Sequence, residues 1–197
     1  MTEPITRFLP WRQTNPGRAL AERTPMQPLD EFADLMAFYR DRLPALRPHD
    51  HAQRQSSDPA SAARIDGLIM ACLVLDGLLS ARTDWSLEQP MRLPVAELTD
   101  VKVTDEHFRR ETVDFAWRRL CERYVKRTRD LLQASALLGK PWLGGMRYRL
   151  AIARIEQILR AIQVDPAVAY RGGMSHQWKD RLMAGVRILW RTLTGRR

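Results

Sequence analysis

The sequence predicts an all-α protein, an antiparallel bundle of about five helices. Three observations lead there. Apolar residues recur at helical spacings of three and four through five separate segments, the pattern of chains that bury one helical face or more. No segment alternates apolar and polar residues as a half-buried strand does. Prolines and glycines cluster between the periodic segments and punctuate them.

Each element follows in chain order. Pro4, Pro10, Pro16, Pro25 and Pro28, with Gly17 among them, prevent a continuous helix and predict an extended arm over residues 1–28 ahead of a helical domain over 29–197. Leu29, Phe32, Leu35, Met36, Tyr39 and Leu43 form one face of an amphipathic helix that Pro44 and Pro48 end. A polar linker, 49–57, leads to Asp58-Pro59, a capping side chain followed by proline at the first helical position. The helix that starts there runs to about Thr83. Between Leu68 and Leu79 it is apolar on nearly all sides, which places it in the centre of the bundle. Trp85 to Val103, broken at Pro90 and Pro94, reads as a loop. Thr104 caps a helix expected to run unbroken to about Leu138, roughly 50 Å at the α-helical rise. Gly139, Pro141, Gly144 and Gly145 read as the turn before a helix over Met146 to Gln163, which buries Leu150, Ile155, Ile158, Leu159 and Ile162. Gly172-Gly173 breaks the chain, and Ser175 caps a last helix ending near Leu193.

With 197 residues, 45% of them hydrophobic, the chain is long and apolar enough for a single core. Cys72 and Cys121 lie in apolar or helical stretches, which excludes a disulfide framework and a cysteine-rich zinc site and predicts a cytoplasmic setting. The polar start MTEPITRFLPW does not read as a signal peptide. The longest apolar run, Gly67 to Leu75, stops at Asp76, well short of a membrane span. The net charge of +9 is unevenly placed. Residues 1–103 hold 12 basic and 14 acidic groups, and residues 104–197 hold 20 and 9. Such a field suits an anionic partner, whether nucleic acid, a membrane surface or a diphosphate; solvated arginine faces would account for it equally.

Asp76, Ser80 and Asp84 lie at i, i+4 and i+8 of the central helix and share one face. Two carboxylates there make half of a hard-cation site, for magnesium holding a diphosphate. Spacing alone favours the plainer arrangement, in which Asp76 pairs with one of the many arginines and Asp84 caps or solvates the helix end. His49 and His51 fall in the polar linker, His107 in a first turn at the surface, and His176 beside a cap. None has a cysteine or histidine partner at metal-binding spacing. From Trp178 to Arg197, arginines alternate with Leu182, Met183, Val186, Leu189, Trp190 and Leu193. That pattern packs on the bundle, and it also offers peripheral contact with an anionic membrane. Nucleic acid fits less well. Arg109, Arg110, Arg118, Arg119, Arg123, Lys126, Arg127 and Arg129 form a basic stripe, but no helix-turn-helix pair or aromatic platform accompanies it.

Taken in order, several segments resemble the squalene/phytoene synthase family, especially its hopanoid-pathway squalene synthase branch. QPLDEFADLMAFYRDRL (27–43) is similar to the helix preceding the family's cavity-lining segment, and QSSDPASAAR (55–64) to that segment itself, with Asp58 where asparagine is usual. LVLDGLLSARTDW (73–85) resembles the second aspartate-rich helix, and RLPVAEL (92–98) the short motif after it. RYRLAIARIEQILRAI (147–162) and RGGMSHQWKDRLMAGVRILWR (171–191) resemble the last two family helices.

The resemblance implies an isoprenoid-synthase-like bundle around an apolar tunnel, where two aspartate-rich helices hold magnesium and the metal clamps the diphosphates of two prenyl chains. Carried onto this sequence, it gives Asp76 and Asp84 as metal ligands, Mg2+ as the cofactor, and Ser56, Asp58 and Ser80 as substrate-binding residues. The departures are specific. Aspartate replaces asparagine at 76, serine replaces the central aspartate at 80, Leu79 replaces the preceding arginine or glutamine, and Arg92 stands where the family has an aromatic residue. No segment of this sequence matches the first aspartate-rich motif. The expectation is therefore a divergent relative that binds an isoprenoid lipid or its diphosphate with weak or absent catalysis. Two alternatives remain open: an active head-to-head prenyltransferase, with a protein partner or a second copy supplying the missing acidic helix, and a basic helical protein on an anionic membrane or nucleic acid.

Overall fold

Residues 28–47, 58–139 and 142–172 are described by a computed structural model of the chain. The expected arm up to residue 27, the 49–57 linker and the helix after Ser175 lie outside them. The described residues form an all-helical bundle of seven α-helices with no strand: α1 Phe32–Leu46, α2 Pro59–Ser86, α3 Val95–Val101, α4 Asp105–Arg110, α5 Phe115–Ser135, α6 Trp142–Val164 and α7 Ala167–Tyr170. A turn of 3-10 helix, Ala136–Gly139, joins α5 to α6.

The central helix is α2. Asp58 caps it by accepting from the Ser61 N–H, and Pro59 fills the first helical position, where a missing N–H costs nothing. All residues from Leu68 to Leu79 are buried. Antiparallel α5 packs along α2. Ser135 donates to the Arg64 carbonyl at 2.8 Å, and a Cβ at Gly67 would stand 2.9 Å from Ser135 Oγ, so glycine sets that crossing distance. The core gathers Leu35, Tyr39, Ile65, Leu73, Leu78, Trp117, Tyr124, Ile155 and Leu159 around these two helices.

Several boundaries depart from the sequence expectation. Helix α1 begins at Phe32 and continues through Pro44 to Leu46; a proline in the last turns removes one hydrogen bond from a helix that is already ending. Leu29 and Asp30 precede α1 as extended chain, and their carbonyls accept from Val95 and Ala96 at 2.8 and 3.0 Å. The expected loop from Trp85 to Val103 contains α3 and the end of α2. The single long helix after Thr104 is two. Chain direction changes at Glu111, which takes left-handed backbone geometry (φ 52°) as the C-cap of α4, and Asp114 caps a new helix. Gly144 and Gly145 lie within α6 rather than in a turn, and Leu150 is 42% exposed rather than buried.

Four aromatic rings lock the corner between α4 and α5. Trp85 stacks on Phe108, Phe108 meets Trp117 edge-on, and Trp117 stacks on Tyr170 at 4.0 Å. His107, expected at the surface, is buried in this corner. Its Nδ1 accepts from the Thr104 N–H, and its Nε2 lies 3.1 Å from Asp114 Oδ2. The Trp117 N–H, helped by His107, holds the Asp114 carboxyl below the usual carboxylate range against the opposing effect of burial. A lowered carboxylate stabilises the fold at pH above its ordinary value, and that contribution is lost as pH falls through the lowered one. Asp114→Ala therefore costs about 1 kcal/mol at pH 7. The gap to wild type narrows in urea titrations repeated in progressively stronger acid.

Candidate functional site: a buried acidic pair closed by an arginine

Along α2 the side chains of Asp76, Ser80 and Asp84 follow one another at one per turn, facing the segment that returns from the helix end toward α3. Arg92 lies on that segment. Its guanidinium enters the bundle between the two carboxylates, with Nη1 donating to Asp76 Oδ2 at 2.7 Å and Nε to Asp84 Oδ2 at 3.2 Å. A longer contact, 3.5 Å, joins Nη2 to Asp84 Oδ1, so Asp84 meets the guanidinium side-on. Ser80 donates to the Asp76 carbonyl at 2.7 Å and lies 3.2 Å from Asp84 Oδ2. Asp76, Asp84 and Arg92 are 3%, 5% and 7% exposed. Both of the sequence's candidate acids are thus in the core, and one arginine joins them.

Burial opposes the charged form of Arg92. The facing Asp76, with Tyr39 and Asp84 after it, outweighs that cost and raises the guanidinium's pKa above its ordinary value. The arginine is therefore charged at every working pH. Local backbone fixes its position. Glu88 takes left-handed geometry (φ 53°) just past α2, and Gln89 N–H donates to the Asp84 carbonyl at 2.9 Å. Gly77 lets the returning chain come close, since a Cβ there would lie 3.0 Å from the Arg92 carbonyl oxygen and from Tyr39 Oη. Leu93, 1% exposed, anchors the next residue in the core.

A second ionic group sits on the α3–α5 side. Glu97, itself buried, accepts from Arg127 Nη2 at 2.8 Å and Arg123 Nη1 at 3.4 Å, and Asp100 accepts from Arg123 at 2.6 Å. The Arg127 guanidinium also lies 3.8 Å over the Phe32 ring. Arg129 pairs with Glu156 and Gln163 on α6. The basic stripe read from the sequence is consequently interrupted, because the half-buried Arg123, Arg127 and Arg129 are engaged by acceptors of this chain.

Other candidate residues are placed apart. Asp58 is exposed at the first cap of α2, roughly 27 Å along the helix from Asp76 at 1.5 Å per residue, and its carboxylate is engaged with Ser61. Ser56, His49, His51 and His176 lie outside the described residues. Cys72 and Cys121 are buried and not joined in a disulfide, and burial pushes the Cys121 thiol up to about 12. Sequence reasoning noticed Arg92 as a departure from a motif, without its partners. It assigned no role to Glu97.

The donor set can be compared with what magnesium requires. Magnesium takes near-octahedral oxygen ligands with several waters. Here two carboxylates converge on a planar guanidinium, the third position on the face is the neutral Ser80, and no group of three or more His, Cys, Asp or Glu residues among the described residues could hold a metal ion. As arranged, the pair does not fit resident magnesium; its cation is Arg92. No described helix is long and apolar enough to cross a membrane. No family model, curated protein or solved structure matches this chain.

Proposed function

We propose that this chain is a squalene/phytoene synthase-like helical protein that binds an isoprenoid chain, as lipid or diphosphate, and does not join two of them. The order of family-like segments supports the kinship, and the apolar circumference of α2 suits a prenyl-binding bundle. One observation carries the non-catalytic part: the acids that would clamp a diphosphate through metal are closed on Arg92. Such a clamp stabilises a leaving diphosphate only while its carboxylates are available to the ion.

Thermal unfolding with a non-hydrolysable farnesyl diphosphate analogue, with farnesol, and with either plus magnesium tests this reading. Ligand at a hundred times its dissociation constant stabilises by about 2.7 kcal/mol. The expected result is a rise in melting temperature that magnesium does not change, with no thirty-carbon product from farnesyl diphosphate. Product formation that depends on magnesium would make the chain an active prenyltransferase. Absence of any shift would remove the isoprenoid reading.

A second reading rests on the first turns of α5. Phe115 is 78% exposed, and exposed Arg118 and Arg119 follow it one turn on. An aromatic side chain beside two cations suits the interface of an anionic membrane. Sedimentation with phosphatidylglycerol vesicles that is lost in Phe115→Ser would support peripheral contact; no sedimentation would dismiss it.

A further inference from the structure

We infer that Thr104, His107 and Asp114 form an acid-sensitive latch: a second proton on His107 breaks the cap of α4 while the bond to Asp114 holds, and α4 loosens from the aromatic corner. The latch stands apart from the isoprenoid and membrane readings and depends on neither.

The first argument is the kind of residue that closes the cap. Thr104 and His107 make a capping box: the threonine side chain accepts from the His107 N–H, and the histidine ring accepts from the Thr104 N–H. Glutamate or glutamine ordinarily fills the second role. Either of them accepts throughout the neutral range, whereas histidine changes charge between pH 5 and 8.

The tautomer gives the second. Nδ1 accepts from the Thr104 N–H at 3.0 Å, so the ring's single proton is on Nε2 and is donated to Asp114 Oδ2 at 3.1 Å. A second proton must go to Nδ1, where it sets two donors against each other. Thr104 Oγ1, 3.1 Å from Nδ1, can accept from that new N–H, but the backbone N–H of Thr104 loses its acceptor. On the far side of the ring the bond to Asp114 becomes charge-assisted and stronger. Protonation thus breaks the hold on α4 and tightens the one on α5.

The surroundings supply the third. Among the described residues, Asp114 of α5 is the charged group bonded to the ring. On α4 itself, Glu106 pairs with Arg109 and Arg110, and Asp105 is exposed. Glu111, just past α4, pairs with Arg82 of α2, and Tyr170 of α7 donates to the Thr112 carbonyl. Asp114 remains a carboxylate while the ring titrates, because the Trp117 N–H keeps its carboxyl low. Helix α4 has six residues, too few to persist without support. Its loosening withdraws Phe108 from Trp85 and Trp117 and bares the apolar surface that Phe108 covers.

The experiment titrates the full chain from pH 8 to pH 5. Ring 15N shifts, assigned by comparison with His107→Gln, report the tautomer and the charge of His107, and amide exchange corrected for its intrinsic pH dependence reports the helices. At pH 8 the proton is expected on Nε2. As His107 takes its second proton, exchange over 105–110 should accelerate roughly tenfold, in line with the loss of a helix cap, while 117–125 stays protected. His107→Gln keeps an acceptor for Thr104 and cannot titrate, so its 105–110 amides should exchange alike at both ends of the range. Asp114→Asn removes the carboxylate that favours the charged ring, so the transition should move to lower pH. The latch is overturned by a proton on Nδ1 at pH 8, by a ring still neutral at pH 5, by exchange over 105–110 that ignores the titration, or by the same acid loosening in His107→Gln. Should His107→Gln not fold, the coincidence of ring titration and exchange in wild type decides the matter alone.

Discussion

Replacing Arg92 with methionine should lower the melting temperature by roughly 6 to 20 °C. Breaking a buried ion pair by removing one partner typically costs about 3–5 kcal/mol, and each kcal/mol shifts the midpoint by about 2–4 °C in a chain of this size. Methionine keeps most of the side-chain volume, so the loss reports stranded carboxylates rather than a cavity. Differential scanning calorimetry of Arg92→Met measures it. The informative comparison is the triple variant Asp76→Asn/Asp84→Asn/Arg92→Met, which removes all the charge and keeps the shape. Replacing a whole buried ionic group is often neutral or stabilising, so the triple variant should regain more than half of what Arg92→Met loses. If it is as unstable as the single variant, the arginine acts through packing and the electrostatic account of the cluster fails.

The pH dependence of this cluster follows from the raised guanidinium pKa. A group whose pKa is higher in the folded state stabilises fully below its unfolded value, and that contribution is lost only as pH rises through the folded one. Arg92 is raised from a value already far into alkali, so its contribution persists across the whole neutral and moderately alkaline range. Unfolding by alkali within that range must originate elsewhere.

The central helix and its acids were legible in the sequence because their signals are local. Asp58-Pro59 marks a helix start by capping and proline chemistry, and uninterrupted apolar residues from Leu68 to Leu79 mark burial on every side. Asp76, Ser80 and Asp84 share a face by helical geometry alone. What occupies that face was not legible. Arg92 reaches Asp76 from 16 residues away and Asp84 from 8, across a turn whose path depends on Gly77 and on Leu93 entering the core. No periodicity encodes that approach. The break between α4 and α5 escaped notice for a different reason: its left-handed C-cap is Glu111, not glycine, so the usual stop signal is missing. Its restart at Asp114, three residues before Trp117, is a capping pattern that could have been found. Gly144 and Gly145 erred the other way, since two glycines inside a helix look like a turn until the helix's packing outweighs their poor propensity.

Trp117→Ala should cost about 3–5 kcal/mol, the range for truncating a large aromatic side chain in a core. Trp117 is fully buried, its ring lies between Phe108 and Tyr170, and its Nε1 donates to the Pro166 carbonyl at 3.1 Å. Tyr170 in turn donates to the Thr112 carbonyl at 2.9 Å. The helices joined through these contacts include α4 with six residues and α7 with four. Helices that short do not persist without tertiary support, and Trp117 supplies part of that support to both. Urea unfolding gives the size of the loss, and amide exchange gives its location. Exchange over 105–112 and 167–170 should accelerate at urea concentrations where the centre of α2 is still protected. Trp117→Phe separates the two components: it keeps a stacking ring and drops the Nε1 bond, whose net contribution is about 1 kcal/mol. A small loss in Trp117→Phe beside a large one in Trp117→Ala places the stabilisation in the stacked rings. Equal losses would place it in the single bond to Pro166, and the aromatic corner would then be a consequence of that bond rather than its support.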